Sequence, residues 1–310
     1  MGTFTLRIFY QDQSDDLRFS EYNSDTRSWE SSQRVEKEGV LSVTGMGVAT
    51  IMYENPAQIE FFYLSNTSSL SGSNFKQGTT PLTGIDDSID AYHPIPLHPK
   101  TRLSTYWPYV VMQKPNLSLY LVNYYFGPIQ SPTLPWQDRS LGITALEGTA
   151  LAIVPQSSLY GNPFPAALVY RRNDGLLTLC SLNYNGTCYD MGTAAIDLPQ
   201  TSSFGVFAVA RENDPKYTTD MYILYQNASN DLNYAYYSGG SWEPGSVSDA
   251  LKNADASTDI TCLTEAIWFG QAIMSTTYDM SRCYFMSGGQ IREVGFDGTT
   301  WTDMGYVPLT

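Results

Sequence analysis

Two histidines and four cysteines are all that this chain of 310 residues offers to chemistry that needs an imidazole or a thiol. A Ser-His-Asp system would have to be built on His93 or His98, and no G-x-S-x-G elbow accompanies either. H-E-x-x-H, a P-loop and G-x-G-x-x-G are missing as well, which removes the usual marks of a zinc hydrolase, a phosphate cradle and a dinucleotide site. His93 and His98 stand in one proline-rich run with no cysteine or third histidine beside them, so they do not form a zinc-type ligand set. No metal and no cofactor is therefore expected. Basic residues are scarce too: 17 Lys and Arg against 31 Asp and Glu leave a net charge of −14, with no basic run. Nucleic acid, which needs clustered cations, is excluded as a partner. The acidity serves solubility. No stretch of about 20 apolar residues exists, so no membrane span is expected. Met1-Gly2 leads straight into TFTLRIFY, so any signal peptide would already have been removed.

What the chain does contain is aromatic and turn-forming. Aromatics make up 14% of it, with 23 Tyr, 24 Gly and 17 Pro, and only 15% is charged. Helical periodicity is hard to find, and strand-like runs separated by turns are everywhere. The stretch RCYFMSGGQIREVGFDGTTW, residues 282 to 301, reads as two strands joined at Ser287-Gly288-Gly289, then a turn at Asp297-Gly298 and a strand opening on Trp301. Residues 6–29 and 221–242 repeat the same grammar clearly. Weaker copies begin at Ile59, Leu117 and Ala166.

Taking the fifth residue of each strand gives Tyr10, Tyr63, Leu121, Tyr170, Tyr225 and Phe285, spaced by 53, 58, 49, 55 and 60 on subtraction. Trp29, Phe75, Trp136, Tyr189, Trp242 and Trp301 mark the last strand of each unit. Repeats of this size with several strands each are propeller blades, which must stack to bury their apolar faces. The expected fold is all-β, a six-bladed β-propeller of antiparallel four-stranded blades. It fills one domain over 1–310, with blades near 1–40, 41–85, 101–140, 141–195, 200–250 and 260–310. Apolar runs at 47–53, 106–113, 150–156, 205–211 and 267–275 are the expected innermost strands. The first unit has no such run, so either 305–310 supplies the closure or that blade stays short. Residues 86–116 hold both histidines in a proline-rich run and read as an irregular connector.

Cys180 and Cys188 flank a hairpin whose turn is Asn183-Tyr184-Asn185-Gly186, within disulfide reach across two strands. Cys262 and Cys283 then remain, although four cysteines permit three connectivities. Sequons begin at Asn66, Asn116, Asn185 and Asn227, most of them in or beside expected turns. Disulfides and sequons together point to the secretory pathway or the extracellular space.

The pattern R-x-Y-F…Q-I-R-E…F-D-G…W of the last unit, and L-R-I-F-Y-Q-D…L-R…W of the first, resemble the fungal fucose-specific lectin family of six-bladed propellers. In that family an Arg and a Glu of one blade bind the sugar hydroxyls while aromatics of the next blade cover its apolar side. Carried over to this chain, the Arg position reads Arg7, Glu60, Ser118, Ala167, Tyr222 and Arg282. The Glu position reads Glu293 in the sixth unit, Phe19 in the first and Tyr234 in the fifth. The resemblance therefore implies at most one complete sugar site, at the seam of blades six and one: Arg282, Glu293, Phe9 and Trp29. Lectins of this kind often dimerise, so a homodimer is a partner the resemblance allows.

A scaffold that has lost repeated sugar motifs and kept its aromatic walls is also similar to a group of lectin-like fungal proteins, the hetero-Diels-Alderases of tropolonic sesquiterpenoid biosynthesis. That resemblance implies a cofactor-independent pericyclase that joins a tropolone quinone methide to a humulene-type alkene, with small apolar molecules as its partners. Such a cycloaddition needs orientation and hydrogen bonds rather than a nucleophile. Position along the chain alone then offers His93, His98, Trp107 and Arg211 near the reacting oxygens, with Tyr106, Tyr109, Trp268 and Met274, on or beside expected innermost strands, as apolar walls.

Overall fold

A computed structural model of the chain describes residues 4–35, 39–51, 58–76, 89, 94–124, 136–159, 164–182, 188–194, 198–199, 202–238, 241–266 and 274–309. Among these residues twenty-two strands form six antiparallel sheets arranged as blades. Blade 1 holds β1 (Thr5–Gln11), β2 (Leu17–Asn23) and β3 (Ser28–Arg34), and blade 2 holds β4 (Met46–Ile51), β5 (Gln58–Leu64) and β6 (Leu70–Lys76). Blade 3 has β7 (Ser104–Tyr106), β8 (Tyr109–Gln113), β9 (Ser118–Tyr124) and β10 (Trp136–Thr144). Blade 4 has β11 (Leu151–Pro155), β12 (Ala166–Arg171), β13 (Leu177–Leu182) and β14 (Cys188–Ala194). Blade 5 has β15 (Phe204–Ala210), β16 (Thr219–Gln226), β17 (Leu232–Ser238) and β18 (Ser241–Pro244). Blade 6 has β19 (Ile260–Cys262), β20 (Arg282–Ser287), β21 (Gln290–Phe296) and β22 (Trp301–Tyr306). Among the described residues no helix is long and apolar enough to cross a membrane.

The six-bladed propeller expected from the repeats is present, with three corrections. Blades 1 and 2 are three-stranded among the described residues, not four-stranded. Residues 106–113 are not one innermost strand but a hairpin: β7 and β8 meet at Tyr106↔Tyr109 around Trp107-Pro108. A proline that lacks an amide donor and fixes its own φ suits a turn better than a ladder. Leu121 consequently lies in the third strand of its blade, and Met112 of β8 holds the place that Tyr170 and Tyr225 hold in theirs. The connector shrinks accordingly, because regular structure resumes at Ser104. The innermost strand of blade 6 is β19, not 267–275, of which 267–273 lie outside the described residues.

Side chains alternate along each strand, so every blade offers one face to each neighbour. Six apolar clusters result, one at each seam. The aromatic of the outer part of a blade is the wedge. Trp136 of blade 3 meets Phe62 of blade 2 edge-on at 5.6 Å, and Trp301 of blade 6 meets Phe207 of blade 5 at 6.0 Å. Phe75 of blade 2 sits among Leu17 and Phe19 of blade 1. The cluster between blades 6 and 1 is the smallest, with only Ile8, Tyr284 and Val307 buried in it.

Four buried threonines fix the innermost strands. The Oγ1 atoms of Thr44, Thr101, Thr149 and Thr258 accept the amides of Leu64, Gln113, Arg171 and Met286 at 2.8, 2.7, 3.0 and 2.7 Å, each near the end of the second strand of its own blade. Each hydroxyl then donates to the carbonyl one residue on, those of Gly45, Arg102, Ala150 and Asp259. The innermost strands are thus tied to their sheets where they begin. Gly47 and Gly205 in these strands leave no room for a side chain: an added Cβ would stand 2.6 Å from Thr105 Cγ2 and 2.7 Å from Cys262 Sγ. The ring is closed by the C-terminal segment. Tyr10 Oη and Ser20 Oγ donate to the carbonyls of Leu309 and Pro308, and Val307 N to that of Ile291. Closure therefore runs through 305–309, as one of the two expectations had it, while blade 1 also stays short.

Cys262 and Cys283 face each other across β19 and β20 and form a disulfide, with Cα atoms 4.1 Å apart. Cys180 is disulfide-bonded as well; Cys188 opposes Leu182 in the ladder, and its side chain lies outside the described ones.

Trp136→Ala should cost about 3–5 kcal/mol, because it empties the wedge between two blades; urea unfolding measures it. Thr149→Val keeps the shape but strands the buried Arg171 amide, an expected loss of about 1–3 kcal/mol that Thr149→Ser should largely avoid.

Candidate functional site

Period-two alternation decides which residues meet at the seam of blades 6 and 1. Arg282 and Tyr284 on β20 and Glu293 on β21 share one face, with Tyr284 directly opposite Glu293 in the ladder. Arg282 Nη1 lies 2.6 Å from Glu293 Oε1, and Tyr284 Oη donates to the same oxygen at 3.1 Å. From blade 1, Trp29 Nε1 donates to Glu293 Oε2 at 3.2 Å. One carboxylate thus gathers a guanidinium, a phenol and an indole from two blades. Burial pushes the Tyr284 hydroxyl well above its ordinary value, which keeps it a donor. Glu293 is 2% exposed and Arg282 8%, whereas Trp29, Tyr22 and Phe4 are half-buried around them. The Arg282 guanidinium lies 5.0 Å from the Tyr22 ring centre and 5.6 Å from that of Phe4, within cation–π range.

Three of the four residues expected at this seam therefore come together, and Phe9 does not. Phe9 shares the face of Arg7, which turns toward blade 2, and its ring packs on Phe19 at 5.5 Å and Phe61 at 5.2 Å. Tyr22 and Phe4 take the place assigned to it. Tyr284 was legible as the second residue after Arg282 on a strand; Phe4 and Tyr22 carried no motif.

At the next seam the arrangement changes. Arg7 Nε pairs with Glu21 Oε2 at 2.5 Å, directly across the ladder, because Phe19 holds the place of Glu293. Phe19 and Phe75 fill that seam with apolar surface instead. A charged pair survives there without the indole.

The residues suggested for a cycloaddition divide between the two ends of the propeller. Tyr106, Tyr109 and Met274 join one cluster with Phe164; Tyr106 stacks on Phe164 at 5.6 Å. Tyr109 is 2% exposed and donates its hydroxyl to the Phe164 carbonyl, so it is core. Trp107 packs elsewhere, edge-on to Trp136 at 6.0 Å and against Tyr124 at 5.3 Å. Arg211 is engaged by Asp220 at 2.6 Å. His98 is on the opposite side, before β7: its Nε2 lies 3.4 Å from Glu147 and its Nδ1 accepts from Lys100 N. The innermost strands run between His98 and the other two, so these three described side chains do not converge as one donor set. His93 and Trp268 lie outside the described residues. Of the sequons, Asn66 and Asn116 are exposed and Asn227 half-buried, all in turns between strands, and Asn185 lies outside the described residues.

No protein-family model matches the chain, and no curated relative does. Solved structures do. AofleA from Arthrobotrys oligospora is 14% identical with a TM-score of 0.73, over 96% of this chain and 81% of that one. The SapL1 lectin in complex with α-methyl fucoside is 14% identical at 0.70, over 98% and 92%. The fucose-binding lectin of Aleuria aurantia, described as a six-bladed β-propeller, is 17% identical at 0.70, over 98% and 91%. At such identities the likeness is one of fold.

Glu265 is a half-buried carboxyl that sequence reasoning passed over. Loss of water pushes its pKa up, Asp279 adds to the rise, and a hydrogen bond from Ser275 N opposes it. The folded protein therefore binds this proton more tightly than the unfolded chain, and stability falls as pH rises through the folded-state value. Glu265→Gln should leave the melting temperature unchanged below about pH 4, where both states are protonated, and raise it at neutral pH; thermal unfolding at the two pH values checks this.

Proposed function

We propose that the protein is a carbohydrate-binding propeller with one retained site at the seam of blades 6 and 1, and that fucose is the sugar to test. The observation that carries this reading is the Glu293 carboxylate, bound by Arg282 from its own blade and by Trp29 from the next. A guanidinium–carboxylate pair directs sugar hydroxyls by charge-assisted hydrogen bonds, and a half-buried indole beside it offers a face to sugar C–H groups. The fold likeness to AofleA and to two structures described as lectins, one of them holding α-methyl fucoside, supports it. The disulfide of Cys262 and Cys283 suits an oxidising, secretory route.

Titration calorimetry with α-methyl fucoside is the test. Trp29→Ala should weaken binding by about tenfold or more while the fold survives, since the residue is a half-buried anchor. Glu293→Ala tests less cleanly, because it leaves Arg282 buried without its partner at a cost of about 3–5 kcal/mol. Absence of binding by fucose and across a glycan array removes the reading.

A second reading, a hetero-Diels-Alderase-type pericyclase, draws on the convergence of Tyr106, Phe164 and Met274 in one aromatic and thioether cluster. There the quinone methide heterodiene and the alkene would form one C–O and one C–C bond with no atom lost, held in place rather than activated by a base. Incubation of the two reactants with the protein should give one stereoisomer faster than buffer does, and Tyr106→Ala should abolish the gain. Equal rates with and without protein exclude it.

A further inference from the structure

The ring of seams orders the blades 1 to 6, so blade 3 stands opposite blade 6 across the central channel. Blade 1 has no strand inside β1 among the described residues, and the channel wall there is β1 itself. One strand spacing is about 4.7–4.9 Å, so the channel widens toward blade 1 by that amount. The space so formed has a volume of about 360 Å³ and touches all six blades. Met46, Leu103, Leu151, Phe204 and Ile260 supply its apolar walls. Its two flanking cations are both engaged, Arg7 by Glu21 and Arg102 by Asp259, so the walls offer no unpaired charge among the described residues.

Each end is crossed by one bridge from blade 3 to blade 6. At the mouth, where the innermost strands begin, Arg102 Nη1 reaches across to Asp259 Oδ2 at 2.7 Å. Beyond the other end Tyr106 Oη donates to the Glu265 carbonyl at 2.7 Å. The two bars differ in kind. The Arg102 and Asp259 side chains are 44% and 61% exposed, and an exposed ion pair is weak and screened by salt.

We propose that this chamber binds a small, uncharged, mainly apolar molecule carrying one hydrogen-bonding group, admitted when the Arg102–Asp259 bar opens. The volume lies within the range of small-molecule sites, about 300–1,000 Å³, and apolar walls with a few polar groups are their usual lining. Ser104, 9% exposed, and Thr261, exposed on β19, supply hydroxyls. The chamber touches the candidate sugar site only through Tyr284, while Arg282, Glu293 and Trp29 do not line it, and either can fail alone.

Two measurements decide it. Crystals pressurised with xenon, which enters apolar cavities and not watered ones, should show the gas inside the chamber; a chamber without xenon overturns the proposal. In solution, the uncharged naphthalene ketone Prodan should bind at one site with blue-shifted emission. Thr261→Trp, which fills the chamber, should weaken that binding at least about tenfold. Arg102→Ala should speed association at least about fivefold, with added salt speeding the parent protein alone. Undiminished binding to Thr261→Trp, or no saturable binding by either the parent or Arg102→Ala, overturns the proposal. If Thr261→Trp fails to fold, the xenon result decides.

Discussion

A blade of antiparallel sheet has two faces and can bury neither by itself, so the whole molecule depends on the contact between one blade and the next. Each seam is made by the alternating face of one sheet and the wedge aromatic of its neighbour, as Trp136 against Phe62 and Trp301 against Phe207. Five seams rest on sizeable apolar clusters. The sixth, where the chain must meet its own beginning, has little apolar surface and is held by other means.

Those means are polar. Glu293 binds Arg282, Tyr284 and Trp29, while Tyr10 and Ser20 hold the carbonyls of Leu309 and Pro308. A buried ion pair contributes little net stability, but it penalises any arrangement that leaves one member alone, and so specifies how the two blades meet. The same side chains are those that a sugar could engage. The seam with the least apolar packing is thus also the seam of the proposed sugar site.

The inner ring follows a different rule. Thr44, Thr101, Thr149 and Thr258 tie the start of their strands to their own sheets, so the channel mouth is defined within blades rather than between them. Only then can single bridges such as Arg102 to Asp259 span the opening. Among the described residues no strand lies inside β1, which leaves the chamber its width, and the close approach of strands at Gly47 and Gly205 keeps the rest of the ring tight.

The sequence by itself determined the repeat, and with it the number of blades, the hairpin turns at Ser287-Gly288-Gly289 and the wedge aromatics, because a blade is a local object written in strand alternation and turn residues. It also determined that Arg282, Glu293 and Trp29 belong together, through a motif that spans a single unit and the start of the chain. Only the tertiary structure decided that Phe9 turns to blade 2, that Phe4 and Tyr22 cover Arg282, and that Glu21 replaces the missing partner of Arg7. The physical reason is that a residue's face is set by register, and a one-residue difference in register moves a side chain to the opposite seam. The hairpin at Trp107-Pro108 misled for the same cause: an apolar run is legible, but where it folds back is set by what it packs against. The chamber could not be read at all, since its walls come from all six blades and its bar joins residues 157 apart in the chain.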